Sequence, residues 1–154
     1  MYRMDNTEIT LTDMVNAVGE FHRAFGVKEI EPGSEPGLDM IRLRISLQQE
    51  ELLELVDALY TRQGGLVFDA LLDNLWLILG TARCLGMSEV LAEGFMEVAR
   101  SNMSKLGSDG KPIYRSDGKV LKGPAYSKPD LHSILVAYLK KKEDQAEIDF
   151  ENAD

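Results

Sequence analysis

Cys84 is the single cysteine of the 154 residues, so no internal disulfide can form. A lone cysteine in an apolar setting fits a reducing compartment and a cytoplasmic protein. Histidine occurs twice, at His22 and His132, and neither has a glutamate three residues before it. That excludes a di-iron bundle built on Glu-x-x-His pairs. His22 also lacks a second ligand at helical spacing and reads as a partly buried surface histidine. No apolar run reaches about 18 residues, and the N-terminal "MYRMDNTEIT" is polar, so neither a membrane span nor a secretory signal is expected. Basic charge is in deficit. The net charge of −9 argues against general binding to nucleic acid or to an anionic membrane. A metal ion or a local basic patch can still recruit a phosphate ligand against that global sign.

Strand-forming runs are scarce too, and helical periodicity fills most of the chain. "LTDMVNAVGEFHRAFG" predicts a first helix with Thr12 as N-cap, Gly26 as stop, and a stripe of Val15, Val18, Phe21 and Phe25. Prolines and glycines in "GVKEIEPGSEPG" make a loop. A long second helix runs from Leu38 to about Arg62, a third from Leu66 to about Leu85, and a fourth starts at a Ser88 cap. After Leu106 the pattern changes. "SDGKPIYR" is followed at once by "SDGKVLKG", a near-repeat whose Asp-Gly pairs suggest turns or a small hairpin. Asp130 then opens a last helix with lysines at its C-terminal end. The fold class is therefore all-α: a helical bundle with an extended basic arm. One domain over residues 1–142 is expected, followed by an acidic, solvated and disordered tail over 143–154. The charge is polarised between these parts. Residues 100–123 hold six basic side chains against Asp109 and Asp117, whereas residues 143–154 hold six acids and no base.

The acids of the second and third helices are the oddity. With about 100° per residue, Glu50, Glu51, Glu54 and Asp57 fall in one sector of the second helix. Ile41, Ile45, Leu52, Leu55, Val56 and Leu59 occupy the opposite side. From Ser46 through Tyr60 there is no lysine or arginine, so this is not a mixed solvated face. Between Leu66 and Leu79 the only polar residues are Asp69, Asp73 and Asn74, and the two aspartates share a face. A helix apolar all round is expected to be buried. Carboxylates in such a place, without a base, call for cations. An all-oxygen donor set favours Mg²⁺, with Mn²⁺ as a substitute.

The blocks "RLRISLQQEELLELVDAL", "DALLDNLWLILGTARCLGM" and "VARSNMSKL", in that order, resemble the all-α nucleoside triphosphate pyrophosphohydrolases, the MazG-like and phosphoribosyl-ATP pyrophosphohydrolase-like branch. Glu50, Glu51, Glu54 and Leu55 match that family's "EExxEL". Asp73 matches the aspartate of its Glu-x-x-Asp. Ala70 stands where the family has glutamate, with Asp69 one residue earlier on the same helix. The resemblance implies a four-helix core completed by dimerisation, as a homodimer or a dimer of dimers. It also implies Mg²⁺-dependent cleavage of a nucleoside triphosphate, dUTP or another (d)NTP, to the monophosphate and pyrophosphate, a house-cleaning of the nucleotide pool. Glu50, Glu51, Glu54 and Asp73 would be catalytic. Those four and Asp69 would bind metal. Asn102 and Lys105 of "SNMSK" would contact the nucleotide. Lys119, Lys122 and Arg44 are further substrate-binding candidates, and Trp76 either stacks on a base or belongs to the core. Two alternatives stand beside this reading: phosphoribosyl-ATP hydrolysis, and a non-catalytic oligomerisation or regulatory module on the same scaffold, which the Ala70 departure would fit.

Overall fold

The structure is a computed structural model that describes residues 8–152. Among them five α-helices follow one another: α1 (Leu11–Phe25), α2 (Leu38–Thr61), α3 (Gly64–Cys84), α4 (Leu91–Met103) and α5 (Leu131–Glu151). The described residues contain no β-strand, only an isolated antiparallel bridge between Tyr114 and Val120. The all-α class read from the periodicity is thus the class of the fold. The chain divides into two compact units, Met1–Glu89 and Val90–Asp154, each with its own helices.

In the first unit, α1 begins two residues earlier than expected. Thr10, not Thr12, is the N-cap, because Asp13 stands at the position that reciprocates it: Asp13 N donates to Thr10 Oγ1 and Thr10 N donates to Asp13 Oδ2. Gly26 ends the helix in the left-handed conformation, φ 65°. Helices α2 and α3 run against each other, and α1 packs on α3. The side of α2 turned away from solvent is Met40, Arg44, Leu47, Gln48, Glu51, Leu55 and Ala58, a stripe of helical period. Val67, Ala70, Asn74, Leu77, Thr81 and Cys84 form the matching stripe of α3.

This pairing corrects the expectation that α3 is buried all round. Its burial is concentrated at Ala70 and from Leu79 to Cys84, while Phe68, Leu71, Leu72, Leu75 and Ile78 remain exposed. Two neighbouring helices cannot cover a third on every side. The apolar face of α2 at Ile41, Ile45, Leu52, Val56 and Leu59 is exposed as well. Helix α3 is also long and apolar enough, by length and composition, to cross a membrane. It nevertheless carries Asn74, which donates from Nδ2 to the Glu51 and Ala70 carbonyls and accepts from Gln48 Nε2 on its Oδ1. Such side-chain bonding between neighbouring helices is what a packed helix pair uses to fix its register.

A second polar group ties the three helices together. Arg44 donates to the Leu77 carbonyl at 2.7 Å and to Thr81 Oγ1 at 3.0 Å. It reaches them because Gly80 has no side chain: a Cβ there would stand 3.1 Å from the guanidinium and 3.3 Å from His22 Nε2. His22 is buried rather than at the surface, with Nδ1 2.7 Å from Glu29 Oε1. Arg83 grips the same carboxylate through two donors, at 2.7 and 2.9 Å. Burial, the largest single influence, pushes the Glu29 carboxyl upward, but the bonds from Arg83 and His22 outweigh it and hold the group below its ordinary 4.5.

In the second unit α4 is preceded by a 3-10 turn, Ser88–Val90, so Ser88 opens that turn and not the helix itself. Helix α5 packs on α4. Glu97 joins them: it receives both donors of Arg100 and the amide of Asp130, and these bonds lower its carboxyl to about 2. Asp130 in turn caps α5 by accepting from Ser133 N. The stretch from Glu143, expected as a disordered tail, continues α5 as far as Glu151. Alanine, glutamate and glutamine are strong helix formers, and the stretch holds no glycine or proline to stop them. Lys140, Lys141 and Lys142 therefore lie in mid-helix, not at its end. Residues 153 and 154, the rest of that expected tail, lie outside the described residues.

Candidate metal and phosphate site

The α2–α3 pairing sets the acids beside one another. Glu51 sits on the inward stripe of α2, where the period would otherwise place a leucine. Its Oε2 is buried and has no hydrogen-bond partner. Burial first, and then the negative charges of Asp73, Glu54, Glu50 and Asp69, push its carboxyl above the ordinary 4.5. The other four carboxylates expected to bind metal therefore all act on Glu51. Glu54 and Asp69 also line one cleft of about 350 Å³, together with Asp57, Leu53, Ala58, Leu66 and Ala70.

Only Glu51 is half-buried. Glu50, Glu54, Asp57, Asp69 and Asp73 are exposed, which corrects the premise that these acids are all interred. The leucines beside them are exposed in the single chain for the same reason. Among the described residues no three His, Cys, Asp or Glu side chains stand together as they would around a bound metal. The donor set still suits a hard divalent ion, since every candidate atom is a carboxylate oxygen and one of them is buried without a partner.

Ala70 is 4% exposed and lies on the inward stripe, where its carbonyl accepts from Asn74. Asp69, one residue earlier, lines the same cleft as Glu54. Asp57, which falls in the acid sector of α2 but has no counterpart in the family signature, is the acid that reading by resemblance passed over. Asn74 was also missed. Its signal was present: it is the one uncharged polar residue between Leu66 and Leu79.

The substrate-binding candidates are distributed. Arg44 spends its donors on α3. Trp76 meets Phe21 of α1 edge to face, ring centres 5.6 Å apart, and Phe21 stacks on Phe25, so the tryptophan belongs to the α1–α3 packing. Asn102, Lys105, Lys119 and Lys122 are all in the second unit. Lys105 Nζ donates to Asn102 Oδ1 at 2.6 Å, so these two residues of "SNMSK" are bonded to each other. Lys122 lies over the Tyr126 ring, 4.3 Å from its centre. Lys119 bonds through its backbone amide to Asp117 and leaves its ammonium exposed.

No known protein family and no curated protein matches the chain.

Proposed function

We propose that the chain hydrolyses a nucleoside triphosphate between its α and β phosphates, dUTP or another (d)NTP, with Mg²⁺ held by the α2–α3 acids. One observation carries the reading: the buried, unpartnered Glu51 oxygen, whose carboxyl is pushed up by burial and by the charges of Asp73, Glu54, Glu50 and Asp69. An arrangement that is unfavourable alone and favourable with a divalent cation is the ordinary state of a metal site. The resemblance of "EExxEL" and its following aspartate supports the substrate class.

Glu51, Glu54 and Asp73 would hold the ion, with Asp69 completing the set from the cleft. Bound Mg²⁺ would neutralise phosphate charge and lower the pKa of a water. Glu50, exposed at the edge of the group, would orient the attacking water and take its proton as the water oxygen bonds to phosphorus. The α–β anhydride bond then breaks, and pyrophosphate departs with the bridging oxygen. Asn102 and Lys105, bonded to each other in the second unit, are the amide and ammonium that the resemblance would assign to phosphate oxygens. The exposed apolar faces of α2 and α3 support a second copy as the cover for this unit, in a homodimer or dimer of dimers. The lone buried cysteine supports a cytoplasmic setting.

The direct assay is pyrophosphate release from a panel of NTPs, dNTPs and phosphoribosyl-ATP with Mg²⁺ or Mn²⁺. Release from at least one nucleoside triphosphate is expected, and no release from any substrate would sink the enzyme reading. Asp69→Ala should lose as much activity as Asp73→Ala; an unaffected Asp69→Ala would remove Asp69 from the ligand set.

A pH dependence follows from Glu51. A carboxyl whose folded-state pKa is raised costs the fold nothing below about pH 4.5, and its penalty develops as pH rises through the raised value. Mg²⁺ binds the ionised form and cancels that penalty. The rise in melting temperature on adding Mg²⁺ should therefore be larger at pH 8 than at pH 5. Glu51→Gln should reduce the rise at both.

A further inference from the structure

The near-repeat after Leu106 folds as two matched turns. In the first, Gly110 N donates to the Gly107 carbonyl and Lys111 N to Asp109 Oδ1. In the second, eight residues on, Gly118 N donates to the Arg115 carbonyl and Lys119 N to Asp117 Oδ1. Both glycines are left-handed, φ 74° and 87°, and each is followed by an exposed lysine. Leu121 N bonds to the Ile113 carbonyl, so the second turn is the tip of a small hairpin. The acids of this arm are already engaged. Asp109 bonds to a backbone amide, and Asp117 takes both the Lys119 amide and the Arg115 guanidinium. Among the described residues no carboxylate lies within ion-pair distance of the Lys111 or Lys119 ammonium. The hairpin thus presents unmatched positive charge around exposed apolar side chains, Tyr114 at 60% and Val120 at 44%.

The other end of the same unit has the opposite character. Helix α5 has 21 residues and α4 has 13, so α5 is the longer by about 12 Å at 1.5 Å per residue; it starts beside Glu97 within α4 and so overhangs its partner at the C-terminal end. Every side chain described from Glu143 to Phe150 is exposed. Asp144, Glu147 and Ile148 share one face of this overhang, and Phe150 lies beside Glu147. No basic residue follows Lys142. An acidic helix end with exposed apolar side chains and a basic hairpin with exposed apolar side chains complement each other, yet both remain open within one chain.

We propose that the acidic end of α5 docks on the 107–121 hairpin of a second copy of this chain, and that the two copies do so reciprocally. A helix is too stiff to fold its own end back, whereas a two-fold pairing lets each copy give its acidic end and receive the other's. Reciprocity doubles the contact, which a small electrostatic patch needs to hold. It also gives the Lys111 and Lys119 ammoniums, which have no acid beside them among the described residues of their own copy, a match in acids of the same sequence.

The test measures sedimenting mass for the wild type and two charge-reversed chains, Lys111→Glu/Lys119→Glu and Asp144→Lys/Glu147→Lys. Each reversed chain alone should lose one association step, halving its mass, and about 0.5 M NaCl should do the same to the wild type. An equimolar mixture of the two should regain the lost step, because each hairpin then faces an end of opposite charge. Masses unchanged by both reversals, or a mixture that stays dissociated, would overturn the proposal; a wild type that binds an oligonucleotide through this hairpin while remaining unassociated would assign the basic arm to nucleic acid instead. The contact does not depend on the catalytic reading. Dissociation to dimers or to monomers reports separately on the apolar faces of α2 and α3.

Discussion

Glu54→Gln and Asp73→Asn each lower Mg²⁺-dependent pyrophosphate release by at least about 100-fold, the scale at which lost metal ligation and transition-state charge stabilisation are felt. Neither lowers the stability of the metal-free protein. Both side chains are exposed, so their removal opens no cavity, and surface changes of this kind stay within about 0.5 kcal/mol. Each also removes a negative charge that raises the Glu51 carboxyl, so the melting temperature without metal should hold or climb slightly. Activity falling while stability holds or rises is the mark of acids kept for function at the expense of the fold. Thermal melts run with and without Mg²⁺, beside the activity assay, check both halves. A large loss of metal-free stability in either variant would reassign these acids to the scaffold.

The second large effect belongs to Asn74. Its amide reaches the Glu51 and Ala70 carbonyls at 2.9 and 2.8 Å, and its Oδ1 accepts from Gln48 at 2.7 Å. Asn74→Ala removes three bonds at the half-buried centre of the α2–α3 contact and leaves the Gln48 amide without this acceptor. A cost of about 2–3 kcal/mol is expected by denaturant unfolding, from about 1 kcal/mol per net bond and the penalty of a stranded polar group. Activity should fall as well, because Asn74 fixes the height of α2 on α3 at Glu51, and the carboxylates of the two helices act together only in that register. Asn74→Asp should repair neither effect, since it withdraws the two donors and adds a sixth acid to the group. An Asn74→Ala protein with unchanged unfolding would show that apolar packing alone sets the register.

The helices were legible because their signals are local. Periodicity, the Gly26 stop and the Asp130 cap each depend on residues within a few positions. The capping of α1 at Thr10 was legible in principle, through the acid at Asp13, and was misplaced by two residues because Thr12 lies closer to the apolar stripe. Which face of α2 turns inward was not legible. Both of its sides carry leucines, and the choice fell to the polar contacts of Arg44, Gln48 and Glu51 with α3, which join residues more than 20 positions apart. The buried state of His22 escaped for the same reason, since Arg83 and Glu29 are separated by 54 residues. Asp69 and Asp73 were visible as acids in an apolar run. Their exposure was not, because that run reads as buried whether the cover is this chain or another.

The central claim is that the α2–α3 acids hold a divalent cation, and Mn²⁺ binding followed by electron paramagnetic resonance tests it most directly. Titrating the protein at pH 8 should remove the free-Mn²⁺ signal stoichiometrically, with competition by Mg²⁺ and weakening by at least about tenfold in Glu51→Gln. A free signal that grows as if no protein were present, with and without a nucleoside triphosphate, would contradict the account.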